Sequence, residues 1–249
     1  NNKLLRRIKV VFPKDFEDQY KIVGRLNRIQ KLIDKRVETI QLLDEYIRSA
    51  FVEMFGDPIL DSKKFGKKPL SFFGTWRSGG TPPKSQIEFY SGSIPWYTSG
   101  ELNQTFINDS NEKITDQAIA ETSAQHVETG SLLIGMYDTA ALKTSITTVN
   151  ASCNQAVAFA KLNNELCETT FIYFNIILSK DYYLNQRKGA RQKNLNLTKI
   201  KNIEVLYPNI DHQRRFTKKF TSVESLKRNL NQSLGILTVL FQATVQTAF

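Results

Sequence analysis

Apolar residues recur at steps of three and four along two separated stretches of the chain. In the first, Ile22, Leu26, Ile29, Ile33, Val37, Ile40, Leu43, Ile47, Phe51 and Met54 hold an average step of about 3.6 residues, which predicts one long amphipathic helix. In the second, Phe216, Phe220, Val223, Leu226, Leu230, Leu234, Leu237, Phe241 and Val245 keep the same spacing. Each stripe needs a partner, so the two helices are expected to lie antiparallel as a coiled coil. Between them the pattern changes to short β-rich runs broken by Gly, Pro, Ser and Asn. Residues 131–137 (SLLIGMY), 143–149 (KTSITTV), 156–161 (AVAFAK) and 203–207 (IEVLY) are predicted strands. Residues 115–122 and 169–185 are predicted helices, the second with Phe171, Phe174, Ile177 and Leu178 on one face. The expected fold class is α+β, a globular mixed domain inserted between two long helices.

The two helical stretches are copies of one module. Ile8, Val10, Pro13 and Gln19 lead into the first, and Ile203, Val205, Pro208 and Gln213 lead into the second. From Gln to the closing Phe the copies span 32 residues (Gln19 to Phe51) and 36 residues (Gln213 to Phe249), a difference of about one helical turn that keeps the apolar face in register. Asp15 and Asp211 are the expected N-caps, and Gly56 with Pro58 beyond it marks the end of the first helix.

Composition narrows the function. With 34 Lys plus Arg against 24 Asp plus Glu, the formal charge is +10, which favours a polyanionic partner such as nucleic acid. By segment the excess is +4 over residues 1–56, +2 over 57–200 and +4 over 201–249. The two cysteines, Cys153 and Cys167, lack metal or disulfide spacing and are expected to be core thiols in a reducing cytoplasm. The two histidines, His126 and His212, stand apart, His212 as a capping or surface residue. No long uncharged apolar run suggests a membrane span, and the charged opening argues against a secretory leader. No GxxxxGK[ST] loop is present, and Asp109, Glu112 and Asp116 are read as helix-start carboxylates rather than a catalytic cluster.

Two segments suit DNA contact. Residues 182–203 carry Arg187, Lys188, Arg191, Lys193, Lys199 and Lys201 with no acid, interleaved with Gln186, Gln192, Asn194 and Asn196. Arg and Lys contact phosphates or guanine, and Asn and Gln pair with adenine. Residues 77–84 (RSGGTPPK) place Gly79 and Gly80 where backbone could approach a phosphate, ahead of Trp96 and Tyr97, which could pack or stack.

Seven short stretches, in order, carry a resemblance: FGDP (55–58), RSGGTPPK (77–84), IPWYTSGELN (94–103), GSLLIGMY (130–137), NQAVAFA (154–160), GARQKNLN (189–196) and IEVLYPNIDHQ (203–213). In these the chain resembles the specificity subunit of type I restriction-modification systems. The resemblance implies four segments: the tail of a preceding recognition domain (1–16), a central conserved long helix (17–56), one target recognition domain (57–210) and a distal conserved long helix (211–249). It implies a non-catalytic subunit that reads one half-site of a bipartite double-stranded DNA target in the major groove. Its partners would be methyltransferase subunits, which hold S-adenosylmethionine, and restriction subunits, with a homodimer of the single-domain form as a further possibility. This chain would bind no cofactor and no metal itself. The paired helices would serve as a ruler of roughly 34 residues, about 50 Å, between half-sites. The residues expected at bases or phosphates are Arg77, Ser78, Thr81, Lys84, Tyr97, Lys143, Arg187, Arg191, Gln192 and Lys193. A coiled-coil scaffold whose globular insert binds protein is the alternative reading.

Overall fold

The structure is a computed structural model that describes residues 13–187 and 195–248. Two compact units divide the described residues: an arm, made by those up to Ile47 and from Lys219 onward, and a domain, those within Arg48–Lys218. Two long helices, α1 (Phe16–Phe55) and α5 (Ile210–Ala248), supply the arm.

In the arm, numbers rise along one helix as they fall along the other. Arg36 Nε donates to Ser233 Oγ at 3.3 Å, and Lys227 meets Asp44 at 2.6 Å, which makes the pair antiparallel. Ile29, Ile47, Phe220, Val223 and Leu230 are buried along the seam, and Ile22, Leu26, Ile33, Ile40, Leu43, Leu234, Leu237, Phe241 and Val245 are half-buried. Val37 and Leu226, predicted to share that stripe, are 41% and 47% exposed. Two helices cover only a narrow seam, and a pattern with period 3.6 drifts away from the 3.5-residue repeat such a seam can hold.

The internal repeat has a structural counterpart at both helix starts. Gln19 Nε2 donates to the Pro13 carbonyl at 2.7 Å, and Gln213 Nε2 donates to the Pro208 carbonyl at 2.9 Å. Asp15 caps α1 by accepting from the Glu17 N–H at 2.9 Å. The cap of α5 is Asn209, which accepts from the His212 N–H at 2.9 Å, and the expected Asp211 lies instead within the first turn. α1 stops at Gly56, whose φ of +76° is the left-handed conformation of a helix end, and Lys63 donates to the exposed carbonyls of Glu53 and Met54.

Among the described residues the domain holds three sheets. Strands β1 (Lys67–Pro69) and β10 (Glu204–Leu206) pair antiparallel, Lys68 opposite Val205, and so fasten the start of the inserted segment to its end. A five-stranded sheet runs in the order β2 (Arg77–Ser78), β9 (Val157–Ala160), β6 (Leu132–Gly135), β7 (Thr144–Thr147), β4 (Phe106–Ile107). Its β4–β7 pair is parallel and the others antiparallel. A three-stranded sheet orders β5 (Lys113–Ile114), β3 (Ile94–Tyr97) and β8 (Ser152–Cys153). The core between them gathers Tyr97, Leu102, Ile107, Val127, Leu133, Cys153, Val157 and Phe159.

Helix α2 (Asp116–Glu121) is capped by Thr115, whose hydroxyl accepts from the Ala118 N–H at 3.1 Å. Helix α3 (Thr169–Arg187) is buried on every side through residues 171–176, more than the single face its pattern predicted. Phe171 and Phe174 join Phe51, Phe55 and Phe216 at ring separations of 4.8–6.0 Å. On the other side α3 packs on β7 and β10, where Asn175 accepts from the Leu206 N–H at 3.1 Å and donates to the Phe171 carbonyl at 3.0 Å. The short helix α4 (Leu197–Lys201) follows, capped by Asn196.

Candidate nucleic-acid interface

Strand β2 is an edge strand, so Arg77 stands exposed beside Phe159 of β9, and Ser78 is half-buried. The next two residues turn inward. Gly79 N–H donates to the Val157 carbonyl at 3.1 Å and Gly80 N–H to the Cys153 carbonyl at 2.9 Å. A Cβ at Gly79 would lie 2.1 Å from the Cys153 carbonyl oxygen, and one at Gly80 the same distance from that of Ser123. These glycines do permit a close backbone approach, but the approach is to the protein's own chain. Their N–H groups are spent there, which removes the expected phosphate cradle.

Thr81 donates its hydroxyl to Gln155 Oε1. Lys84 lies 2.6 and 2.8 Å from the two carboxylate oxygens of Glu112, and its ammonium sits 4.0 Å from the centre of the Tyr90 ring and 5.1 Å from that of Trp96. Desolvation acts to lower the Lys84 pKa, and the Glu112 hydrogen bond with the charges of Tyr90 and Glu112 outweighs it, leaving it above the ordinary lysine value. Its charge is thus committed within the domain. Trp96, which could pack or stack, packs: it is buried, with its indole N–H donating to the Gly80 carbonyl at 3.0 Å.

Tyr97 requires a correction. It is 0% exposed, packed in the core with Leu102, Leu133 and Phe159, and cannot meet a base or phosphate from there. It occupies an inward position of β3, whose residues 95–97 are all buried. Lys143, at the entry to β7, is half-buried and donates to Asn103 Oδ1 at 2.7 Å and to the Gly100 carbonyl at 3.2 Å. Arg187 is the last residue of α3. Arg191, Gln192 and Lys193 lie outside the described residues.

The segment of residues 98–112 between β3 and β5, a loop that carries the two-residue strand β4, draws the predicted segments together: Lys143 bonds its start and Lys84 pairs with Glu112 at its end. It frames a pocket of about 390 Å3 lined by Gln104, Asn108, Asn111 and their neighbours. Sequence reasoning passed over this loop because it lacks a run of Lys or Arg. The available clue was its amide density, with Asn103, Gln104, Asn108 and Asn111 within nine residues.

The carboxylates do not converge. Asp109 pairs with Lys113 at 3.1 Å, Glu112 with Lys84, and Asp116 lies in the first turn of α2. Among the described residues no group of His, Cys, Asp and Glu is placed to hold a metal ion. Cys153 and Cys167 are buried free thiols, and burial pushes Cys167 up to about 12 and Cys153 higher still, so neither offers a thiolate near neutrality. No described helix is long and apolar enough to cross a membrane.

The family model described as Type I restriction modification DNA specificity domain matches residues 63–235. Among curated proteins, the chain is 27% identical over 173 residues to the Type I restriction enzyme EcoR124I/EcoR124II specificity subunit of Escherichia coli, covering 67% of this chain and 43% of that protein. It is 26% identical over 172 residues to the HindI specificity subunit of Haemophilus influenzae, covering 67% and 36%. The chain therefore spans less than half the length of these relatives. Among solved structures, the type I restriction-modification S subunit from M. genitalium aligns over 94% of this chain and 61% of its own, with a TM-score of 0.64 at 14% identity. The HsdS subunit from Thermoanaerobacter tengcongensis aligns over 94% and 58%, with a TM-score of 0.59 at 17% identity, so the fold is shared where the sequence has diverged. The matched segment takes in most of the domain, strand β10 and the first two-thirds of α5, and the chain belongs to the DNA specificity family of type I restriction-modification systems.

Proposed function

We propose that this chain is the non-catalytic, DNA-reading part of a type I restriction-modification complex. The domain reads one half-site of a bipartite double-stranded target in the major groove. The helical arm scaffolds methyltransferase subunits, which hold S-adenosylmethionine, and restriction subunits; the work is done in the cytoplasm, on host DNA. The carrying observation is that the family match covers residues 63–235, most of the domain and much of the second arm helix together. The formal charge of +10 supports a polyanionic partner, and exposed Arg77 together with the amide-lined loop supplies phosphate and base chemistry on one domain.

The test is co-expression with a methyltransferase subunit of the same system, followed by mapping of N6-methyladenine across host DNA. A bipartite methylated motif that disappears when this chain is omitted is the expected result. Methylation without a motif, together with failure of the two proteins to co-purify, would sink the reading. A palindromic motif would mean that two copies of this domain act together, and an asymmetric one that a different domain reads the other half.

A further inference from the structure

The loop of residues 98–112 is braced from within and from the sheet below it. One carboxylate oxygen of Glu101 accepts from the Thr98 N–H at 2.8 Å and the Thr98 hydroxyl at 2.7 Å, while the other accepts from the Asn111 N–H at 2.8 Å. Ser145 of β7 donates its hydroxyl to the Gln104 carbonyl at 2.6 Å, and the N–H groups of Ile146 and Thr148 bond the carbonyls of Thr105 and Ile107 at 2.8 and 2.9 Å. Ile107 is buried beneath, in the main core. The backbone of this loop is therefore fixed, whereas Gln104, Asn108 and Asn111 are exposed and make no side-chain hydrogen bond among the described residues. The fourth amide differs, since Asn103 uses both ends, accepting from Lys143 and donating to the Gly100 carbonyl at 2.7 Å.

The charges at the rim are spoken for. Asp109 pairs with Lys113, and Glu112 with Lys84, while Lys143 rests on two neutral oxygens. Such a surface has little to grip phosphate with. What it offers is three amide groups, each with a donor and an acceptor side by side, on a backbone that needs no ordering. An amide matches the N6 amino group and N7 of adenine in the major groove. Fixing the backbone beforehand lowers the entropic cost of that contact.

We propose that the pocket framed by residues 101–111 is a base-reading site, with Gln104, Asn108 and Asn111 as specificity-determining side chains that favour adenine. This rests on the DNA-reading function proposed above and places sequence choice in this loop, apart from the cations that hold the backbone.

The experiment uses the full chain in complex with its methyltransferase subunit. The parent and the variants Gln104→Ala, Asn108→Ala and Asn111→Ala are compared by N6-methyladenine mapping of host DNA. Each is then titrated with a duplex carrying the parent's mapped motif and with a scrambled duplex. All three side chains are exposed, so each variant is expected to fold, and a matching melting temperature checks this. The expected result is a motif relaxed at one or two adenine-containing positions in at least one variant. The ratio of specific to scrambled affinity falls about 5- to 150-fold, with the salt slope of binding kept. Parental motifs and ratios in all three variants would overturn the proposal. So would a salt slope lowered by about one with the motif intact, since that marks a phosphate contact. A parent complex that methylates without any motif would overturn the DNA-reading function itself, and this inference with it.

Discussion

Gln213 shows how much one side chain can hold. It is fully buried; its amide donates to the Pro208 carbonyl at 2.9 Å and the Leu166 carbonyl at 3.5 Å, and its oxygen accepts from the Glu168 N–H at 3.0 Å, just ahead of α3. Gln213→Ala strands those groups, and a loss of about 1–3 kcal/mol in urea unfolding is expected. Gln19, its counterpart in the repeat, is only half-buried with one such bond, so Gln19→Ala is expected to cost at most about 1 kcal/mol. Equal losses would contradict burial as the cause. Arg77 is the predicted contact that remains exposed without a structural partner among the described residues. On the proposed function, Arg77→Ala weakens binding to motif and scrambled duplexes alike and lowers the salt slope by about one. A change of motif instead would make it a base reader. The residues predicted for contact were chosen by type, and type does not reveal commitments made elsewhere in the fold. Lys84 is held by Glu112, Tyr97 is sunk in the core and the glycine N–H groups are taken by β8 and β9, all through partners distant in sequence.

At the scale of elements, periodicity carried the two long helices, α2, α3 and strands β6, β7, β9 and β10, because each presents a repeating or continuous apolar pattern. Strands β2, β4, β5 and β8, two residues each, are too short to hold a period and exist through pairing with distant segments. IPWY, whose Trp96 and Tyr97 could pack or stack, forms β3 and packs both inward. The arm makes a prediction about charge. Lys227 is 17% exposed and lies between Asp44 at 2.6 Å and Glu224 at 2.9 Å. Desolvation pulls its pKa down, and the two carboxylates overcome this, so the net shift is upward from 10.5. A lysine raised on folding contributes in full below its unfolded value and loses that contribution as pH climbs through the folded one. The stability difference between parent and Lys227→Met, about 1 kcal/mol at neutral pH, should therefore persist to about pH 10 and shrink above it. A difference that shrinks near neutrality would point to another group.

For the whole molecule, the internal repeat becomes a statement about distance. Helices of 40 and 39 residues rise about 60 Å at 1.5 Å per residue, somewhat more than the 50 Å expected from the repeat alone. Under the proposed function the arm sets the spacer between half-sites, so its length and its reading loops should be separable. Arg36 faces Ser233, and removal of residues 33–36 together with 233–236 takes about one turn from each helix while keeping each apolar stripe nearly in phase. About 6 Å of arm is lost, comparable with one to two base-pair steps of 3.4 Å. The expected methylation map keeps the parental half-site sequence and shortens the spacer by one or two base pairs. An unchanged spacer in an active complex would show that the arm is not the ruler, and a changed half-site would mean that arm and reading loops are coupled. The first helix and the second must be cut together, since a cut in one alone keeps Asp44 against Lys227 but moves Ile29 and the half-buried seam residues beyond the cut past their partners. The single deletions are therefore expected to fail in assembly where the matched pair succeeds.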